Sequence, residues 1–349
     1  MRTILAEPMP ANPSDPLAQP LSPLSCKLLD AISNNRSIEA ARLLSRGASP
    51  LAREGLGPTP LLAAVSAGFR EGSQACIRLL AGKGGLKERD ANGRTPLLLA
   101  AWRGLHWALP ELAYPGWETD TDKEGNSASA LAANYAPCLE WILANGGDCR
   151  SPNTAGFTPL MLANYAGAQV LLSHHPKIDP DAQNLAGRTA LMMAAARGGS
   201  PAYMRLLLAH TRDPNIRDIR TGSTALHLAL TRFHFETAAV LATACDLTAR
   251  DHDGRTPVSL SCVSSATAAQ LWPLLIAKSA DDIDAVGMRE ALGAEESISA
   301  ISSPSQPLSK PPLSKFGRFL AESIHRLEEA KALQEATPEP QRRSPSSRL

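Results

Sequence analysis

The side chains that most invite a chemical reading are His174 and His175, the one adjacent histidine pair in the 349-residue sequence. A zinc or iron site needs further imidazoles, thiolates or carboxylates at short spacing, and none stands near this pair, which precedes Pro176. They read as incidental loop histidines. Cys26, Cys76, Cys138, Cys149, Cys245 and Cys262 are scattered, with no CxxC spacing, so neither a zinc ribbon nor a disulfide framework has its usual signature. Reduced, mostly buried thiols are expected. Gly82-Lys83-Gly84-Gly85 lacks both the preceding strand and the Lys-Ser/Thr ending of a phosphate-binding loop. Gly-x-Ser-x-Gly and His-Glu-x-x-His are absent. The expectation is a protein that is not an enzyme, with no catalytic residues, no metal and no cofactor.

A different chemistry is concentrated in the middle of the chain. Trp102, Trp107, Trp117, Trp141, Tyr114, Tyr135 and Tyr165 all fall between residues 102 and 165, although aromatic residues are only 4% of the whole. Such side chains carry much of the binding energy at protein interfaces, so this region is the candidate surface for a protein partner. The charge balance, 35 Lys+Arg against 34 Asp+Glu, argues against a phosphate-neutralising face and hence against nucleic acid. No run approaches the roughly 18 apolar residues that would cross a bilayer. The start, Met1-Arg2-Thr3-Ile4-Leu5, lacks the apolar stretch of a secretory signal. A cytoplasmic location is the expectation.

The elements that position these residues are marked by a pattern returning every 31 to 36 residues. It reads Thr59-Pro60-Leu61, Thr95-Pro96-Leu97, Thr158-Pro159-Leu160, Thr189-Ala190-Leu191, Thr224-Ala225-Leu226 and Thr256-Pro257-Val258, with a weaker copy near Ser127 and a degenerate one near Arg289. Threonine can cap a helix with its hydroxyl, and proline suits the first helical position because its missing N–H costs nothing there. A helix is therefore expected at each anchor. Leu97, Leu99 and Ala100, matched by Leu160, Leu162 and Ala163 and by Leu226, Leu228 and Ala229, give that helix an apolar face with a small residue for close packing. A second apolar run follows in most units, as at Leu43-Leu44, Leu79-Leu80, Leu171-Leu172 and Leu207-Leu208. Turns such as Asp90-Ala91-Asn92-Gly93 and Asp251-His252-Asp253-Gly254 then lead to the next anchor.

Asp/Asn-x-x-Gly-x-Thr-Pro-Leu repeated at this period closely resembles the ankyrin repeat. The resemblance covers about residues 24–301. It implies an all-α, right-handed solenoid of helix–turn–helix–loop units, about seven or eight including degenerate caps, and a function in non-catalytic recognition of a protein partner. The family's partners usually meet the loop tips and the ends of the first helices. Carried onto this sequence, that places Trp102, Arg103, Tyr135 and Tyr165 on the concave face, with Asn92, Arg94, Lys123 and Phe157 at the loop tips. A second candidate patch, suited to an acidic partner, is Arg220, Arg232, His252 and Arg255; the alternative is an ordinary solvated face. Trp107 and Trp141, on second helices, are expected in the core. His227, in the place of the histidine of Thr-Pro-Leu-His, is expected to hydrogen-bond within the fold.

Departures from the consensus matter as well. The copies after Ser127 and Thr158 are two residues short, which is expected to tighten the link between their helices, and Pro110 and Pro115 should shorten or kink the second helix after Thr95. Residues 1–23, with six prolines, read as a disordered leader, and 302–313 as a Ser/Pro linker. An amphipathic helix is expected over 314–335, its stripe of Phe316, Leu320, Ile324 and Leu327 either docking on the solenoid, binding a partner or second copy, or lying on a membrane surface. Residues 336–349 read as a disordered tail. Two narrower functions are compatible with this plan: a bacterial effector secreted into a host cell, with the leader as its signal, and a targeting subunit that recruits an enzyme in trans.

Overall fold

The computed structural model describes residues 22–55, 57–68, 72–174, 178–257 and Leu260. Contacts divide the chain into two units, one ending at Leu185 and the other beginning at Ala186. The last part of the repeat region, the linker, the helix expected over 314–335 and the tail lie outside the described residues, as does nearly all of the leader.

In the first unit helices occur in pairs: α1 (Pro23–Ser33) with α2 (Ser37–Ser45), α3 (Pro60–Ser66) with α4 (Ser73–Ala81), α5 (Pro96–Arg103) with α6 (Leu109–Leu112), α7 (Ala128–Leu131) with α8 (Ala136–Ala144), and α9 (Pro159–Leu162) with α10 (Tyr165–His174). The second unit repeats the scheme with α11 (Ala190–Ala196), α12 (Pro201–His210), α13 (Ala225–Thr231) and α14 (Phe235–Ala242). First helices stack on first helices, α1 on α3, α3 on α5, α5 on α7 and α7 on α9, and α11 on α13 in the second unit. Among the described residues there is no strand, only an isolated bridge between Thr121 and Ser127.

Each anchor starts its helix. The side-chain oxygens of Thr95, Ser127, Thr189 and Thr224 accept from backbone N–H groups three residues on, at 3.4, 3.3, 3.3 and 3.5 Å. Ser127 is thus the anchor of the weaker copy. Thr59 and Thr158 start helices from the same extended backbone without that bond, where proline at the first position does the work of presetting φ. Leu97, Leu98, Leu99, Ala100 and Ala101 are all buried between neighbouring first helices, and burying each leucine is worth roughly 1.5–3 kcal/mol.

Two local expectations are corrected. The copy after Ser127 loses its residues from the first helix and keeps a link of residues 132–135, whereas after Thr158 both shrink: α7 and α9 have 4 residues against 7 in α3 and 8 in α5, and residues 163–164 alone join α9 to α10. The short helices are compensated by side chains. Asn164 donates to the carbonyl of Asn134 at 3.0 Å and accepts from the N–H of Gly167 at 2.9 Å, tying consecutive links together. Secondly, Trp107 and Trp141 are half-buried, and among the described residues the buried tryptophan is Trp117, whose ring lies 5.6 Å from that of Trp141. Trp107 misses the core because the segment before Pro110 forms a 3-10 turn, His106–Ala108, leaving α6 only 4 residues.

The turns are closed by their first residue. Asp90 Oδ1 accepts from the N–H groups of Asn92 and Arg94, and Asp122, Asn153 and Asp251 do the same in their own turns. Successive tips are joined by main-chain bonds, Lys123 N–H to Asn92 O and Thr154 N–H to Glu124 O at 2.9 Å, and in the second unit His252 N–H to Thr221 O at 2.8 Å.

His227 takes the structural role expected of it. It is fully buried; Nδ1 faces the Thr224 hydroxyl at 2.8 Å and Nε2 the carbonyl of Arg255 at 3.0 Å, bridging one anchor to the next. Burial lowers its pKa, outweighing the bond to Arg255 and the nearby Asp251, so the folded protein holds it neutral. Protonation then favours the unfolded chain. Stability is expected to be full above the ordinary histidine value of 6.5 and to fall below it, by at most about 1.4 kcal/mol per pH unit. Urea midpoints at pH 7.5 and 5.5 check this: wild type should lose part of its stability, and His227→Gln should lose measurably less between the two pH values.

Cys76, Cys138, Cys149 and Cys245 are buried and Cys26 is exposed, and burial pushes Cys138 up to about 12.

Candidate functional site

The seventh or eighth residue after each anchor lies where the first helix turns into the second, and three consecutive pairs in the first unit put an aromatic there. Trp102 lies in the last turn of α5, Tyr135 caps α8 and Tyr165 opens α10; they are 47%, 42% and 39% exposed. They are held in one connected row. The ring of Tyr135 lies on Gly104, two residues past Trp102, where an added Cβ would stand 2.5 Å from Tyr135 Cδ1; Gly104 also has φ +73°. Only glycine leaves that space and takes that backbone without strain. The bond from Asn164 to Asn134 then ties the link that carries Tyr165 to the one that carries Tyr135.

The indole of Trp102 is fixed from the loop side. The Arg94 guanidinium carbon sits 4.6 Å from the ring centroid while the same group pairs with Asp90 at 2.9 Å. Arg94 is therefore a positioning group, its charge shared between a carboxylate and a ring face, an arrangement worth roughly 0.5–1 kcal/mol at an exposed site. Arg103 is half-buried beside Trp102. At the tips Asn92 and Lys123 are exposed and joined through their main chains, whereas Phe157 is half-buried. Tyr114 is engaged elsewhere: its hydroxyl donates to Asp120, and Lys87 lies 5.4 Å from its ring.

One residue of this surface escaped the sequence reading. Leu185, at the tip after α10, is 76% exposed, with its N–H bonded to Ala155 O at 3.2 Å. The available signal was a lone leucine inside an Asn-x-x-Gly turn, where a polar residue would be ordinary.

The second patch is not drawn together in the same way. Arg220, Arg232, His252 and Arg255 are all exposed. Arg255 already pairs with Asp251 at 2.9 Å and Asp253 at 2.7 Å, and Arg232, at the far end of α13, donates to Ala196 O at 2.9 Å. His252 rests on Gly222. What remains for an acidic partner is a dispersed set of cations, two of them committed to the fold.

Among the described residues no three His, Cys, Asp or Glu side chains converge as a metal site, and no helix is long and apolar enough to cross a membrane. Stacked helix pairs, tips joined by main-chain bonds and an exposed aromatic row define a helical-repeat protein of the kind built for binding. Residues 28–124, 126–218 and 164–251 match the family model of ankyrin repeats, and the chain belongs to the ankyrin repeat family. It is 35% identical over 126 residues to neurogenic locus notch homolog protein 1 of Xenopus tropicalis and 36% over 132 residues to that of Homo sapiens, in each case matching 5% of the relative's length. Against the E3 ubiquitin-protein ligase KEG of Arabidopsis thaliana identity is 28% over 206 residues, which is 53% of this chain and 12% of the ligase. The matches thus span small parts of much longer relatives. The crystal structure of the ankyrin repeat domain of Bcl-3, an IκB family member, covers 61% of this chain and 96% of its own at 24% identity, with a TM-score of 0.49.

Proposed function

We propose that this chain is a non-catalytic recognition module that binds a partner protein through the row Trp102, Tyr135 and Tyr165, with Arg103, Asn92, Arg94, Lys123, Phe157 and Leu185 around it. The observation that carries the reading is the row itself. Three large aromatic side chains left substantially exposed in consecutive repeats, each anchored by a specific neighbour, are what a preorganised interface offers. Their rings lose little conformational freedom when a partner covers them. Ankyrin repeats generally serve as protein-interaction modules, which supports the same reading.

Affinity capture with the full chain beside its Trp102→Ala/Tyr165→Ala variant tests it. Both side chains lie at the surface, so the variant should retain its helical circular dichroism. A partner held by wild type should be retained at least tenfold less by the variant, since each hot-spot aromatic typically contributes about 2 kcal/mol or more. Equal retention would remove the row from the interface and leave the Arg220 to Arg255 region as the next surface to vary. An enzyme among the captured proteins would make the chain a targeting subunit acting in trans. For the narrower effector reading, unaltered export after deletion of residues 1–23 would remove the leader's role as a signal.

A further inference from the structure

The charge of this chain is nearly balanced overall, yet one cleft gathers a single sign. It lies beside α2, has a volume of about 660 Å³, and is lined by Lys27, Arg36, Arg42 and Arg46, with Glu39 as its one carboxylate. All four cations are exposed. Glu39 is drawn onto Arg36 at 3.3 Å, so Lys27, Arg42 and Arg46 pair with no carboxylate among the described residues. The buried side chain of Leu43 supplies an apolar wall. A cleft with charges of one sign and low-dielectric walls focuses its field and draws in counter-charge. Helix stability does not account for the cluster. Arg42, in the last turn of α2, complements the helix dipole, but Arg46 stands four residues on, where like charges repel. Arg36 holds the N-cap of α2 and makes no side-chain cap bond, at a position where Asn, Asp or Ser would stabilise the helix and where the dipole disfavours a cation. Ile38 also lines the cleft and is 72% exposed, a large aliphatic side chain left in water among the cations.

We propose that this cleft binds an acidic peptide segment of a partner protein, with carboxylates on Arg36 at one end and on Arg42 and Arg46 at the other, and an aliphatic side chain between them on Ile38. The length follows from the helix. At roughly 1.5 Å per residue, the stretch from Arg36 to Arg46 spans about 15 Å, which about four or five residues of extended peptide cover. Guanidinium groups suit such a ligand because their planar fork takes a carboxylate through two parallel hydrogen bonds. Lys27, brought in by the packing of α1 on α2, adds a further charge on a flexible stem. Ile38 favours a peptide over a simple anion, since an inorganic phosphate would leave its apolar surface in water. The site is separate from the aromatic row and does not depend on the role of Trp102, Tyr135 and Tyr165.

Fluorescence anisotropy with the full-length chain and the labelled peptide Glu-Glu-Leu-Glu-Glu tests this. Wild type should bind the peptide, and Arg42→Ala/Arg46→Ala should bind it about tenfold more weakly or worse, as should wild type toward the uncharged Gln-Gln-Leu-Gln-Gln. Ile38→Ser should weaken binding about threefold, whereas Trp102→Ala/Tyr165→Ala should bind as wild type does. Arg36→Asn separates recognition from folding. Asparagine is the better N-cap, so the urea midpoint should rise while affinity for the peptide falls about threefold or more. The substituted side chains are all exposed, so the variants should keep the helical circular dichroism of wild type. No binding by wild type, equal binding by Arg42→Ala/Arg46→Ala, or equal binding of the uncharged peptide would each overturn the proposal. Unchanged affinity of Ile38→Ser, with pyrophosphate displacing the peptide, would make the cleft a site for simple anions and overturn the peptide as its ligand.

Discussion

Gly167→Ala is expected to destabilise the protein by about 3 kcal/mol, at the upper end of what inserting one carbon into a packed site costs. Gly167 lies in α10, where a Cβ would overlap the carbonyl oxygen of Ala133 and stand 2.9 Å from its carbon. The obstacle is main chain, so no rotamer change relieves it. To make room, α10 must withdraw from the link before α8, and the bonds of Asn164 to Asn134 and Gly167 must lengthen with it. Thermal and urea unfolding should both report the loss, with Tm falling by roughly 6–12 °C. Gly82→Ala is the control. Gly82 follows α4 at φ −72° with nothing within 4 Å of its would-be Cβ, so that change should be neutral or stabilising by up to about 1 kcal/mol. Similar losses from both substitutions would mean that the close approach at Gly167 is not what the alanine disturbs.

Asp218→Ala should have the second large effect, about 2–4 kcal/mol. The side chain is fully buried and accepts from Thr221 N–H at 2.8 Å, the Thr221 hydroxyl at 2.6 Å, Ser223 N–H at 3.2 Å and the Arg188 fork at 3.1 and 3.2 Å. Alanine leaves those turn donors without their acceptor and a partly buried guanidinium without its carboxylate, and each loss is of the costly kind. Part of the ion-pair contribution is discounted, because Arg188 is 25% exposed. Asp218→Asn, which keeps an acceptor oxygen, should lose roughly half as much. Acid should act on the same group. Burial pushes its pKa up, but the bonds from Thr221, Ser223 and Arg188 outweigh this and hold it below the usual carboxylate value. Its contribution is therefore present above about pH 4 and lost as pH falls through and below that value. Urea unfolding of the variants at pH 7 and pH 3 should bring Asp218→Asn and wild type closer together at the lower pH.

The aromatic row was legible in the sequence as far as residue type and repeat position go. Trp102 and Tyr165 stand seven residues after their anchors and Tyr135 eight, and an offset within a repeat points to a region of the surface. Their support was not legible. Gly104 beneath Tyr135 and Arg94 against Trp102 look, in one dimension, like an ordinary helix stop and an ordinary loop cation. The second cationic patch shows what repeat position leaves out. Arg220 and His252 stand at one offset, four residues before their anchors, but Arg255 is drawn onto Asp251 and Asp253. Counting a cation as available needs the positions of the carboxylates around it.

What the sequence determined by itself is local: where each helix starts, because Thr-Pro caps and presets the first turn; where each turn closes, because an Asx side chain reaches the N–H groups two and four residues on; and the period of the array. These depend on groups a few residues apart, so composition and order decide them. Only the tertiary structure decided that Trp117 and not Trp107 or Trp141 enters the core, that the two short repeats shorten their first helices, and that Gly167 must be glycine. Each of those outcomes turns on how closely one repeat approaches the next. That contact joins residues about thirty positions apart, and is set by the packing of side chains from both repeats at once.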